Sequence, residues 1–489
     1  MIEKEYIMST FANAVANQEA RTTNGMKARK STANACVDLF FKIGASRGKN
    51  ITKDFVAAYV ENREVALRIA QWVRDVRGGA GERQIFRDIL AYLDKHQPQD
   101  AELLLKKVPE IGRWDDIFVV ETTKPFAFSM LGDALREKNG LAAKWTPRQG
   151  KVAAEIRKFF GMSPKFYRKS LVELTKTVEQ QMCAKDWDNI EFSHVPSLAH
   201  ARYKKAFGRN TQEYAKYVQE LMKDPKDRTK NVKINAGAVY PYDVIKGLAS
   251  QYYLAEYSKT QIDAIQAQWD AMENFIGDAN VLPVVDVSGS MGCSAGGPMS
   301  KSATSCLDVA VSLGLYCADK NKGKFKDTFL TFSHNPQLVT LKGNIVQKIQ
   351  QMNRSDWDMN TDLVKAMQKI LTVAINGNVP QEEMPEMLLI MSDMQFDQCA
   401  RFNDSAMQMI ERKFKDAGYE VPKIVFWNLN AHDNVPVKYD KRGVALISGF
   451  SPAIMVSVLG GDTEQFTPEA IMLKTVMKDR YDLPELVTA

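Results

Sequence analysis

Two rhythms of apolar and polar positions divide the chain. From about residue 34 to 270, apolar positions recur every three or four residues. In "NREVALRIAQWVRDV" (62–76), Val65, Ile69, Trp72 and Val76 fall near one face, the signature of an amphipathic helix. "RGGAG" interrupts the pattern, and "ERQIFRDILAYLDKH" resumes it with Ile85, Ile89 and Leu93 at a spacing of four. Further helical stretches follow in "DAELLLKKV", "GKVAAEIRKFF", "FYRKSLVELTKTVEQQM" and "TQEYAKYVQELM", with no clear strand candidate among them. Short helices joined by turns over this length predict an α-helical, HEAT-like array of stacked hairpins, irregular because no fixed repeat period is visible.

Beyond residue 278 the rhythm changes to short apolar runs alternating with helical segments. "VLPVVDV", "DTFLTFS", "EMLLIMSDM", "KIVFWNLN" and "VALIS" read as buried strands. "SATSCLDVAVSLGLYCADK", "TDLVKAMQKILTVAI", "SAMQMIERKFKDAG" and "PAIMVSVLG" read as helices. This alternation predicts an α/β doubly wound, Rossmann-like sheet covered on both faces. The expected organisation is multidomain: an N-terminal arm (1–33), a helical domain (34–277), an α/β domain (278–462), and a C-terminal helix and tail (463–489).

Composition narrows the class. The chain has 489 residues, 45% hydrophobic and 25% charged, which suffices for two or three domains. No stretch approaches the roughly 18 apolar residues of a membrane span, and "MIEKEYIMST" lacks the apolar core of a secretory signal. Six scattered cysteines with no CxxC pair argue against a zinc site and a disulfide framework. A cytoplasmic location is expected, the host cytoplasm if the source is viral. Charge is uneven: 44 Lys and Arg stand against 35 Asp and Glu through residue 280, and 21 against 24 beyond it. Residues 201–233 hold 10 basic and 4 acidic side chains. Such a basic front half suits phosphate groups, although a solvated basic face gives the same pattern.

The candidate chemistry sits in "VLPVVDVSGSMGCSAGG" (281–297), where an apolar strand runs into a loop of Asp, Ser, Gly and Ser. Ligands of open α/β sheets bind at the carboxyl ends of strands. Hard divalent cations take oxygen ligands, so Asp286 supplies charge, and Ser288 and Ser290 supply neutral oxygens. Thr361, just before a helix, and Asp393, at the end of another apolar strand, are candidates to complete the set. DxSGS, a later Thr in a TD turn and an Asp ending a strand together resemble the metal-ion-dependent adhesion site of von Willebrand factor A domains. The resemblance implies Mg²⁺ (or Mn²⁺) on Asp286, Ser288, Ser290, Thr361 and Asp393, with one coordination position left for an acidic group of a partner.

Other stretches resemble an uncharacterised family of plants, fungi and large viruses or phages that joins a helical region to a von Willebrand A-like domain. They are "TNGMKARKSTANACVDLFFKIGASRG", "NREVALRIAQWVRDVRGGAGER", "IGRWDDIF", "SDMQFDQC", "VFWNL" and "GVALISGFSP". The layout also resembles, more loosely, the Ro autoantigen (TROVE) proteins, in which a ring of HEAT-like helices closed by a von Willebrand A domain binds small structured RNAs and RNA ends. That resemblance implies RNA, structured or single-stranded, as a partner and a ribonucleoprotein role.

Candidate RNA contacts are Lys165, Arg168 and Lys169 in "SPKFYRKS", and Arg202, Lys204, Lys205 and Arg209 in "ARYKKAFGR", where aromatics interleave with basic residues. Aromatics at helical spacing more often build a core. In "RDVRGGAGER", a helix–helix turn is favoured over a phosphate-cradling loop, because no GK[ST] ending follows. Arg74, Arg77 and Arg83 remain possible RNA contacts. Catalysis has little support: the five His show no ligand spacing, His334 reads as a rim residue, and no basic residue adjoins Cys293 in sequence. Two-metal carboxylate clusters, expected of a nuclease, are not visible. The expectation is a non-enzyme that binds RNA. The alternative is a metal-dependent protein-interaction module without RNA, with a phage or viral protein or an AAA+ ATPase as partner.

Overall fold

A computed structural model describes residues 19–175, 177–229, 231–246, 248, 257–295, 304–332, 335–355, 362–396, 406–432, 434–459 and 465–483. The chain forms two compact units. One gathers the described residues up to Val65 with Asn274–Gly343 and Gln347–Lys478. The other gathers Ala66–Glu273, Asn344–Val346 and the described residues from Asp479 onward. Residues 34–65 and most of the segment after 463 group with the sheet.

In chain order the first unit begins with β1 (Glu19–Arg21), β2 (Lys27–Arg29), α1 (Ala35–Ile43) and α2 (Thr52–Glu61). The helical stretch then runs through α3 (Arg63–Arg74), α4 (Arg83–His96), α5 (Pro98–Ile111), α6 (Lys124–Arg136), α7 (Gly140–Trp145) and α8 (Gly150–Phe159). It continues with α9 (Pro164–Leu174), α10 (Val178–Cys183), α11 (Ser197–Asn210), α12 (Glu213–Leu221), α13 (Pro241–Ile245) and α14 (Lys259–Asp270). As the spacing predicts, this region is helical, with no strand among its described residues. In α4, Ile85, Phe86, Ile89, Leu90 and Leu93 form the buried stripe that packs against α5. Pro98 opens α5, where its missing N–H is harmless, and Gly112 closes it.

Turn chemistry joins the helices. The Asp94 carboxylate accepts N–H groups from Glu121, Thr122 and Thr123 at 2.7–2.9 Å and so fixes the start of α6. The glycines of "RGGAG" are structural. A side chain at Gly79 would meet the Trp72 carbonyl at 1.9 Å, and one at Gly81 (φ +71°) the Tyr240 hydroxyl at 1.8 Å. The loop N–H groups of Gly79, Ala80 and Glu82 bond to Asp75, Trp72 and Val73 carbonyls. It is the helix–helix turn expected, with those donors already used.

The α/β unit resumes with β3 (Val281–Asp286), α15 (Cys306–Lys320), β4 (Thr328–Phe332), β5 (Leu338–Thr340), α16 (Ile345–Asn353), α17 (Leu363–Asn376), β6 (Met387–Ser392), α18 (Ala406–Asp416), β7 (Lys423–Asn428), β8 (Val444–Ser448), α19 (Met455–Val458) and α20 (Pro468–Val476). The six-stranded sheet has the order β5-β4-β3-β6-β7-β8, parallel except for edge strand β5. All six residues of β3 and of β6 are buried, as continuous apolar runs in a covered parallel sheet should be. Pro283 is tolerated in a central strand because the ladder to β4 starts only at Val284. Chain order reverses at β3, whose successor β4 lies on one side and β6 on the other. The crevice at the carboxyl ends of β3 and β6 is therefore the topological switch point.

Helix α1 is built into this unit. Asn428 Nδ2 donates to the Phe41 carbonyl (3.0 Å), Ser448 Oγ to the Phe40 carbonyl (2.7 Å), and the Gly44 N–H to Ser448 Oγ (3.0 Å). A Cβ at Gly44 would lie 2.6 Å from the Ser448 carbonyl oxygen, so only glycine allows that approach.

Candidate cation site and basic surfaces

Asp286 ends β3 and Asp393 follows the last residue of β6, and both are buried at the switch point. The Asp286 carboxylate is held from two sides. Its Oδ1 accepts the Ser288 N–H at 2.9 Å, and its Oδ2 accepts the Ser392 hydroxyl at 2.5 Å. Ser288 is buried and Ser290 exposed, and their hydroxyl oxygens stand 3.0 Å apart. After β6 the chain turns sharply: Met394 adopts φ +63°, a strained value for a non-glycine residue. Its N–H donates to Ser392 Oγ (3.0 Å), and the Gln395 N–H donates to Asp393 Oδ1 (3.2 Å). Thr361 lies outside the described residues, as does His334. Its neighbour Asp362 caps α17 by accepting the Lys365 N–H.

Electrostatics single out this corner. Complete burial, and then the negative charge of Asp393, push the Asp286 carboxyl up to about 7, against the opposing pull of the Ser392 and Ser288 donors. Two buried carboxylates side by side call for a positive charge between them. The donors are all oxygens, two carboxylates and two hydroxyls, which suits a hard divalent cation. Among the described residues no three His, Cys, Asp or Glu side chains cluster as a metal site, so the hydroxyls are a necessary part of any ligand set here.

Sequence reasoning missed two contributors. Ser392 reads as an ordinary strand residue, although its place one residue before Asp393 was a signal. The turn between β1 and β2, expected to be part of an arm, fastens the loop after β6. Thr22 Oγ1 donates to the Phe396 carbonyl (2.6 Å), the Thr23 N–H to Gln395 Oε1 (2.7 Å), and Asn24 Nδ2 to the Gln395 carbonyl (2.7 Å).

The basic candidates fall into two groups. On α9, Lys165, Arg168 and Lys169 are exposed, and Phe166 beside them is 58% exposed. Tyr167 instead points inward and donates to the Pro147 carbonyl at 2.6 Å. On α11, Arg202 and Arg209 are exposed, and Lys205 sits over the Tyr257 ring at 4.3 Å. Lys204 does not belong with them. It is buried, its Nζ donates to the Ala201 carbonyl at 2.8 Å, and burial followed by the Lys205 charge lowers its pKa to about 8. The aromatics of this segment are core: Phe207 and Tyr214 are buried with Phe192 and Val218, and Tyr203 and Tyr217 pack against them. Arg74 is likewise committed, to Asp116 at 2.6 Å, while Arg77 and Arg83 are exposed.

A doubly wound sheet with an oxygen-donor crevice at its switch point, encoded after a helical array, is the class of protein that this fold and site define. Two family models match the chain, each described as a domain of unknown function: DUF2828 over residues 22–112 and 153–281, and DUF7788 over residues 280–483. The chain is 28% identical to the uncharacterized protein L728 of Acanthamoeba polyphaga mimivirus, over 92% of this chain and 86% of that protein. Among solved structures, the Ro (RSR) protein of Deinococcus radiodurans aligns over 91% of this chain and 99% of its own, with 13% identity and a TM-score of 0.46. No helix among the described residues is long and apolar enough to cross a membrane.

Proposed function

We propose that the chain is a non-catalytic RNA-binding protein, a ribonucleoprotein component, whose α/β unit holds Mg²⁺ or Mn²⁺ in a metal-ion-dependent adhesion site. The observation that carries the cation site is the meeting of Asp286 and Asp393, both buried, at the ends of neighbouring strands beside Ser288 and Ser290. Thr361 is assigned to the same set by the sequence motif. The exposed side of Ser290 leaves the cation a face toward solvent, where an acidic group completes its coordination.

The RNA reading draws on the Ro-like order of domains in the sequence and on α9. There, three exposed cationic side chains share a helix with an exposed aromatic, a combination that pairs phosphate contact with base stacking. Arg202, Lys205 and Arg209 of α11 are assigned the same role. The test is an electrophoretic shift titration of the full chain with structured and single-stranded RNAs, in Mg²⁺ and in chelator. Binding in both conditions, weakening with salt, is expected. Absence of any shift, together with Mn²⁺ binding by calorimetry, overturns the RNA reading. It then favours the second one, a module that takes a carboxylate of a protein partner at the cation.

A further inference from the structure

Just past the cation loop two cysteines face each other beside an antiparallel bridge. Cys293 follows Ser290 by three residues, and Cys306 opens α15. An antiparallel bridge between Ser294 and Ser305 sets them side by side, and the Cys306 N–H donates to the Cys293 carbonyl at 3.0 Å. Both are free thiols, and their sulfurs stand 3.4 Å apart. Directly opposed residues of an antiparallel pair have Cβ atoms about 4.5–5.5 Å apart. A disulfide needs about 3.5–4.5 Å, so a small adjustment closes the bond.

The two thiols are not equivalent. Cys293 is half-buried and within reach of reagents, whereas Cys306 is buried. Sequence alone showed no basic neighbour for Cys293, but the fold supplies one. Lys49 is anchored by its Nζ to Asn430 Oδ1 (2.8 Å) and to the Ala431 carbonyl, and Asn430 Nδ2 lies 3.4 Å from Cys293 Sγ. The hydrogen bond between the two sulfurs and the Lys49 charge both draw the Cys293 thiol down, although burial and Asp393 oppose them. The same hydrogen bond and its own burial push Cys306 up. One sulfur is suited to attack and the other to resolve.

We propose that Cys293 and Cys306 form a reversible oxidation site for hydroperoxides, whose disulfide fixes the segment leaving the cation loop and alters cation affinity. The Cys293 thiolate attacks the outer peroxide oxygen, the O–O bond breaks, and an alkoxide leaves and takes up a proton. The product is a sulfenic acid at Cys293. The Cys306 sulfur then attacks Cys293 Sγ, the S–O bond breaks, and water leaves with the Cys306 proton. Two thiols and one hydroperoxide thus give a disulfide, an alcohol and water (two waters from hydrogen peroxide). The disulfide itself is independent of the proposed function; its effect on the cation rests on the adhesion-site reading.

The full-length chain, treated with hydrogen peroxide and digested without reductant, is expected to yield a linked Cys293–Cys306 peptide in the monomer. Dithiothreitol should abolish it. In Cys306→Ser, dimedone should label Cys293. Absence of the linked peptide, with peroxide reacting first at exposed Cys183, overturns the proposal. Calorimetry with Mn²⁺ on the reduced and oxidised chains is expected to differ by roughly fivefold or more in Kd, the low end of ordinary coupling. Equal affinities overturn the regulatory step. Linked peptide without Mn²⁺ binding in either state counts against the adhesion site while leaving the disulfide standing.

Discussion

The Ser392 hydroxyl donates to Asp286 Oδ2 across 2.5 Å, so the last residue of β6 holds the carboxylate that ends β3. Both groups are fully buried. The same hydroxyl accepts the Met394 N–H and thereby shapes the turn that carries Asp393. A positioning residue of this kind acts on a cation through its ligands. Ser392→Ala is expected to weaken Mn²⁺ binding roughly 10- to 100-fold, the usual cost of losing a partner behind a metal ligand. Calorimetric titration checks this, and an unchanged affinity would separate Ser392 from the site.

Asp286 makes the cation-free chain sensitive to alkali. Its folded pKa is about 7 against an ordinary 3.8, so the folded state holds this proton more tightly than the unfolded one. The associated stability is complete below about pH 4 and is lost as pH rises toward 7 and beyond, on the order of a few kcal/mol. A cation bound to the ionised form opposes that loss. Urea unfolding in chelator should therefore give a lower midpoint at pH 8 than at pH 5 relative to Asp286→Asn. Saturating Mg²⁺ should restore the wild-type midpoint at pH 8, and Asp286→Asn should not respond to the cation. A parallel pH response in wild type and variant would refute the assignment.

What the sequence disclosed and what it hid follow from packing. Strands β3 and β6 were legible because buried parallel strands are continuous apolar runs, and an aspartate interrupting each one marks its end. Edge strand β5 went unseen because its three residues are exposed or half-exposed and carry no apolar signature. The β1–β2 hairpin was invisible for another reason. Its strands, "EAR" and "KAR", are short and polar, and its turn is tied to Gln395 and Phe396, more than 370 residues away. Lys204 was misread although the pattern held a clue. His200, Ala201, Lys204 and Phe207 share one buried face of α11, at spacings of three and four.

That buried face carries a second pH dependence of opposite sign. His200 is buried, its Nε2 lies 3.3 Å from the Tyr214 hydroxyl, and burial followed by the Lys204 charge lowers its pKa to about 3. The unfolded state then binds the His200 proton more tightly. The stability from keeping the ring neutral is present above pH 6.5 and is lost as pH falls through 3. At pH 5 the loss from this residue is about 2 kcal/mol. His200→Leu should remove it, so the gap in unfolding free energy between pH 7 and pH 5 should narrow by that amount. An unaltered gap would mean that the ring is protonated in the folded chain.

Salt dependence separates the basic residues that face solvent from the one that does not. Every cationic side chain removed from a phosphate should lower the slope of log K against log salt by roughly 0.7 to 0.9. If α9 meets RNA, changing Lys165, Arg168 and Lys169 together to Gln should weaken binding at every sequence and flatten that slope in proportion. Phe166→Ala should weaken single strands more than duplex, because stacking needs an unpaired base face. Lys204→Met is the control: its ammonium is buried against the Ala201 carbonyl and reaches no phosphate, so the slope should stay at the parent value. Arg202→Gln and Arg209→Gln, exposed on the same helix, should each lower it. A filter-binding series across several salt concentrations reads all of these. Parent-like slopes throughout would make both helices solvated basic faces and give first place to the protein-partner reading of the cation site.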